Sequence, residues 1–163
     1  MTTDVTGILS TANGGTGFTT TLKTTVTQSV ASVTPTTITE FTTASLGAGT
    51  YKFNAVIVAQ STAAGTGMGF RMNAVGATMT TCYAKWLVAQ GTSGNNHDYG
   101  YDQITPTTNI TSTASPAANT DILTTVDGTF TISIGGTVAI QLRSETGPAV
   151  SIRAGSYLTI EAI

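Results

Sequence analysis

Residues 50–59 read Thr50-Tyr51-Lys52-Phe53-Asn54-Ala55-Val56-Ile57-Val58-Ala59. Successive side chains of an extended strand point to opposite faces. Written as a strand, this run puts Tyr51, Phe53, Ala55, Ile57 and Ala59 on one face and Lys52, Asn54, Val56 and Val58 on the other. A one-residue slip would exchange the two sets, so the register is strongly specified. Gly47, Ala48 and Gly49 form a turn before it, reached from Ile38, Phe41 and Leu46.

The same period recurs on either side. After a small-residue loop, Ser61 to Gly67, a second strand is expected from Met68 to Val75, with Phe70, Met72 and Ala74 alternating against Gly69, Arg71 and Asn73, and Gly76 ends it. Residues 77–89 carry Met79, Cys82, Tyr83, Trp86, Leu87 and Val88, a spacing that fits helix or strand; the flanking threonines and aromatics favour strand. Upstream, Leu22 to Val33 predicts one strand or two short ones before Pro35. Downstream, apolar pairs are punctuated by Asp127-Gly128, Gly135-Gly136, Gly147-Pro148 and Gly155, which predicts four or five short strands between Ile122 and Ile163 joined by tight turns. Gly91 to Asn96, and Ile104 to Asn119 with Pro106 and Pro116, are expected to be loops.

Eight to ten strands at spacings near ten residues, with no useful helical period, predict an all-β antiparallel sandwich, specifically a jelly roll. The division expected is an extended N-terminal arm over residues 1–21 and a sandwich over 22–163. The arm holds few large apolar side chains, Val5, Ile8, Leu9 and Phe18, and has Gly14, Gly15 and Gly17 within four residues.

Composition points the same way. Threonine makes up more than a fifth of the 163 residues, and its branched Cβ favours a pleated surface. Charged residues are only 9% of the chain while apolar residues reach 40%, against about 25% charged in ordinary soluble domains. So few charges protect a monomer weakly against association, which predicts an oligomer. A net charge of −2 and scattered cations offer no footprint for a phosphate backbone, so nucleic acid is not an expected partner. No apolar run has membrane-helix length, and the N-terminus lacks a signal-peptide pattern, so no membrane partner is expected. The single cysteine, Cys82, sits among apolar neighbours and reads as a buried, inert thiol.

Several strings resemble those of known proteins. Gly7 to Gly17, with Ala12-Asn13-Gly14-Gly15-Thr16-Gly17 at its end, resembles a linker of phage tail-fibre proteins. Leu46 to Phe53 and Arg153 to Ile160 are similar to the first core strand and the closing strand of the phage version of the tumour-necrosis-factor-like jelly roll. Asp127 to Phe130 followed by Gly136 to Leu142 resembles a hairpin of that family. The resemblance covers roughly residues 30–163. It implies a homotrimer on a bacteriophage particle, with no cofactor. A tail fibre of that kind carries a long shaft ahead of its head, where this chain has only a short arm, so the expectation shifts to a capsid decoration or cement protein, or a short head fibre.

On this reading the arm residues Ile8, Leu9, Asn13, Gly14, Gly15, Thr16, Gly17 and Phe18 contact the major capsid protein or another virion protein. An uncharged extended segment lies readily in a groove and pairs with a strand edge. The chain would reside on the particle surface after assembly in the host cytoplasm.

Chemistry has little raw material: one histidine, one cysteine and eight carboxylates. No Ser lies in a nucleophile-elbow setting, and the arm glycines lack the lysine and helix of a phosphate-binding loop. His97, Asp98, Tyr99, Tyr101 and Asp102 are the one concentration of functional groups. They read as a metal site, as an aromatic surface for a bacterial glycan, or as a plain loop running into a strand. Adjacent strand residues face opposite ways, which disfavours a shared ion. The functions in view are therefore a non-enzymatic trimeric decoration protein, a receptor-binding fibre tip or adhesin, and a capsule-degrading enzyme, for which no carboxylate pair is evident.

Overall fold

The computed structural model describes residues 19–89, 97–103, 110–111 and 117–163, and within 97–103 and 110–111 only the backbone. These residues contain no helix. They form twelve strands: β1 (Thr19–Lys23), β2 (Gln28–Val30), β3 (Thr36–Thr42), β4 (Gly49–Ser61), β5 (Met68–Val75), β6 (Thr78–Ala89), β7 (His97–Gln103), β8 (Ile110–Thr111), β9 (Ile122–Ile134), β10 (Thr137–Ser144), β11 (Val150–Ile152) and β12 (Tyr157–Ala162).

The strands make two antiparallel sheets, the expected sandwich. The larger has eight strands in the order β1-β12-β4-β9-β6-β7, with β11 sharing an edge of β4 and β2 pairing with β11. The smaller has the order β3-β10-β5-β8. The faces of β4 are those read from its sequence: Tyr51, Phe53, Ala55, Ile57 and Ala59 are buried, while Lys52 and Asn54 are exposed and Val56 and Val58 half-buried. Phe70 and Met72 of β5 are likewise buried, and residues 78–89 are a strand, as the threonines and aromatics suggested.

Between the sheets, Ile38, Phe41, Ile57, Phe70, Phe130, Ile132, Leu142, Ile152, Leu158 and Ile160 are among the most deeply buried side chains. Tyr51 stacks on Phe130 with ring centroids 5.3 Å apart, and Phe53 meets the same ring at 6.0 Å. Cys82 is buried in this core, and burial pushes its thiol up to about 12.

Two expectations are overturned in the C-terminal half. Asp127-Gly128 is not a turn, because β9 runs unbroken through it for 13 residues. The glycine serves close packing instead: a Cβ on Gly128 would lie 1.9 Å from the carbonyl oxygen of Tyr83 on β6. Nor do the segments around Phe130 and Ile140 form a hairpin, since β9 belongs to the larger sheet and β10 to the smaller. The chain crosses between sheets at Gly135-Gly136, where Leu46 and Gly136 exchange backbone hydrogen bonds of 2.9 and 3.0 Å. Within the expected loop 104–119, Ile110–Thr111 pairs with β5 as a short strand. The expected arm and β1 overlap, as β1 begins at Thr19.

One side of the sandwich, between β1 and β3, is fastened by a carboxylate. Glu40 of β3 accepts hydrogen bonds from the hydroxyl and backbone N–H of Thr25, from the Val26 N–H at 3.4 Å and from Gln28 Nε2 at 2.9 Å. The Thr25 hydroxyl bond is the largest of the effects that hold the Glu40 carboxyl below its ordinary value. Gln28 also accepts from the Thr39 N–H at 3.0 Å, so the clamp reaches both edges.

Candidate interaction surfaces

The outer faces of the two sheets differ in chemistry. On the smaller sheet, Arg71 Nε donates to Gln141 Oε1 at 2.7 Å, and Gln141 Nε2 donates to Thr37 Oγ1 at 3.1 Å. That network ties β5, β10 and β3 together with polar groups and leaves Gln141 only 8% exposed.

The larger sheet carries apolar groups outward. The pairing register aligns Tyr157, Val56, Thr125 and Leu87 in one row across β12, β4, β9 and β6. The next row along is Thr159, Asn54, Asp127 and Lys85, and the third is Glu161, Lys52, Thr129 and Tyr83. Tyr83 is 52% exposed, Leu87 40%, Leu123 60% and Tyr157 38%. Lys52 lies 2.9 Å from Glu161 and Lys85 lies 3.3 Å from Asp127, while exposed Lys23 of β1, opposite Tyr157, adds a cation at the edge of the face. A depression of about 80 Å³ between Lys52, Asn54, Thr159 and Glu161 is well below the roughly 300–1,000 Å³ of small-molecule pockets. The surface is therefore broad, and this depression is too small for a small-molecule ligand, which suits a macromolecular partner.

Sequence reading assigns Tyr83 and Leu87 to a core-forming stretch without separating them from Cys82 and Val88. Parity does separate them, because Lys85 shares the phase of Tyr83 and Leu87, and Cys82 and Val88 lie in the opposite phase and are buried.

The cluster at 97–102 falls on β7, at the edge of the larger sheet. Its backbone register sets Tyr99 opposite Leu87 and Tyr101 opposite Lys85, while Asp98 pairs with Val88, Asp102 with Ala84 and His97 with Ala89. The tyrosines and the two aspartates thus occupy alternate register positions along the edge. Among the described residues, no group of three or more His, Cys, Asp or Glu side chains is gathered to hold a metal ion. The arm residues Ile8, Leu9, Asn13, Gly14, Gly15, Thr16, Gly17 and Phe18 lie outside the described residues.

No family model and no curated protein matches the chain. Among solved structures, a chain of "Structure of infectious bursal disease virus Gx strain" is similar over 89% of this chain and 38% of its own length, at 12% identity and a TM-score of 0.22. This chain thus spans less than half of that one, and a superposition so loose carries no argument about fold or function.

Proposed function

We propose that the chain is a non-enzymatic structural subunit of a bacteriophage particle, a homotrimeric jelly roll that decorates or cements the capsid or forms a short head fibre. The observation that carries this reading is the outer face of the larger sheet. Six strands abreast at about 4.8 Å, with central strands of 13 residues, give it roughly 1,000 Å². A standard protein interface takes about 800 Å² from each partner. Four of its charges, Lys52, Glu161, Lys85 and Asp127, are neutralised within the face, and Lys23 stands at its β1 edge. The chain's repeated crossing between sheets supports the jelly-roll wiring, and the strings at Gly7–Gly17, Leu46–Phe53 and Arg153–Ile160 support the virion setting.

A second reading is a receptor-binding fibre tip that recognises a bacterial glycan. What favours it is the edge strand β7, whose register sets Tyr99 beside exposed Leu87. Aromatic side chains on a rigid edge suit stacking on sugars.

Cryo-microscopy of whole particles tests the two together. Density for this chain over capsomer junctions is the expected result. Density at the distal end of the tail, with loss of cell adsorption on changing Tyr99 and Tyr101 to Ala, would replace it with the second reading.

A further inference from the structure

Buried hydroxyls in this fold are paired. The side chains of Thr24, Thr43, Ser61, Ser144 and Ser156 are buried, and each is hydrogen-bonded to a backbone group. On the inner face of the larger sheet two polar atoms depart from that pattern. Trp86 Nε1 and Thr124 Oγ1 are both shut off from solvent, and neither has a hydrogen-bond partner among the described residues. Thr124 as a whole is 0% exposed. A buried donor or acceptor left unpaired is costly, so buried polar groups in folded proteins are bonded either to the protein or to ordered water.

The two groups lie on neighbouring strands and face the same way. Trp86 shares its phase on β6 with buried Cys82, Ala84 and Val88, and Thr124 shares its phase on β9 with buried Ile122, Val126 and Phe130. In the ladder Trp86 stands opposite Val126 and Val88 opposite Thr124, which makes Trp86 and Thr124 diagonal neighbours. Such positions lie roughly 7–8 Å apart, within the reach of an aromatic side chain.

The residues flanking them across the ladder offer no polar side chain. Thr124 stands between Val88 and Ile57, both fully buried, and Trp86 between Val126 and the Gly100 position of β7. Small residues surround the indole: Ala84 precedes it on the same face, Gly128 is its other diagonal neighbour on β9, and Ala55 follows Val126 in its row.

We propose that one water molecule is bound in the core between Trp86 and Thr124, accepting from the indole Nε1–H and hydrogen-bonded to the Thr124 hydroxyl. An indole N–H only donates, whereas a hydroxyl donates and accepts, and a water oxygen answers both at the smallest volume. The flanking Val, Ile, Ala and Gly residues give an ion no counter-charge. Bound there, the water ties β6 to β9 beneath Tyr83, Leu87 and Leu123, which stand exposed on the outer face of the same two strands. The assignment is independent of the virion reading.

The test is a high-resolution crystal structure of the full chain, as wild type and as the variants Thr124→Val and Thr124→Ser, with the melting temperature of each at one protein concentration. Density for a single oxygen is expected within about 2.7–3.2 Å of both Nε1 and Oγ1 in the wild type. It should persist in Thr124→Ser, which keeps the hydroxyl, and vanish in Thr124→Val, which keeps the shape. Thr124→Val should also melt about 2–4 °C below the wild type. A hydroxyl with no partner predicts the opposite, since exchanging it for a methyl group would leave the melting temperature unchanged or raise it. Four results would overturn the proposal: a direct hydrogen bond between Trp86 and Thr124; no ordered density between them in the wild type; density of several linked atoms, which would assign the place to a larger ligand; or density equally strong in Thr124→Val.

Discussion

Gly128 occupies a place where a methyl group has no room. Strand β6 approaches it closely, and the Tyr83 carbonyl is backbone that cannot rotate aside. Gly128→Ala is expected to cost about 3 kcal/mol, the upper end of overpacking penalties, read as a lower urea midpoint; an unchanged midpoint would show that β6 and β9 are set further apart. Phe53 is 4% exposed and packs on Phe130, so Phe53→Ala should cost about 3–5 kcal/mol. A loss below about 1 kcal/mol would contradict the face assignment of β4. Cys82 makes a complementary case. Its thiol is buried and pushed up to about 12, and only the thiolate reacts. A thiol reagent at neutral pH should leave it unmodified in the folded protein and label it fully in guanidinium; rapid labelling without denaturant would contradict its burial.

At the scale of elements, the Glu40 clamp makes the β1–β3 side sensitive to acid. A carboxyl whose folded value lies below its unfolded one stabilises the fold above the unfolded value, and that contribution is lost as pH falls through the folded value. Glu40→Gln should therefore melt below the wild type near neutrality, with the gap closing as pH drops below about 4. A gap that stays constant with pH would mean the carboxylate charge contributes nothing.

Legibility of the elements follows from how a strand is buried. β4 and β5 alternate apolar and polar residues because one face meets the core and the other does not, and their faces can be read directly. β9 defeats that reading, since Asp-Gly is strong turn chemistry and nothing in the local sequence reveals that a neighbouring backbone needs the glycine's missing side chain. The assignment of β9 and β10 to different sheets is similarly non-local, because Gly135-Gly136 serves a crossing as well as it serves a hairpin. The candidate surface was half legible: the period of β6 separates Tyr83 and Leu87 from the core, but only the sheet order brings them into line with Tyr157 and Leu123.

For the whole molecule, the two outer faces predict different responses to the same insult. The smaller sheet is knit by Arg71, Gln141 and Thr37, whereas the larger one presents Tyr83, Leu87, Leu123 and Tyr157 around ion pairs that need no outside partner. A charge at Leu87 therefore opposes association, while the same charge at half-buried Asn73 on the smaller sheet leaves it alone. Leu87→Glu should lower the mass in solution without lowering the fold's content of strand by circular dichroism, and Asn73→Glu should change neither.

The account depends most on association of identical copies through that face, and sedimentation equilibrium of the full chain measures it directly. The prediction is one species of three times the 16.6 kDa chain mass, reduced by Leu87→Glu. A single 16.6 kDa species across the micromolar range, unchanged by that substitution, would contradict it.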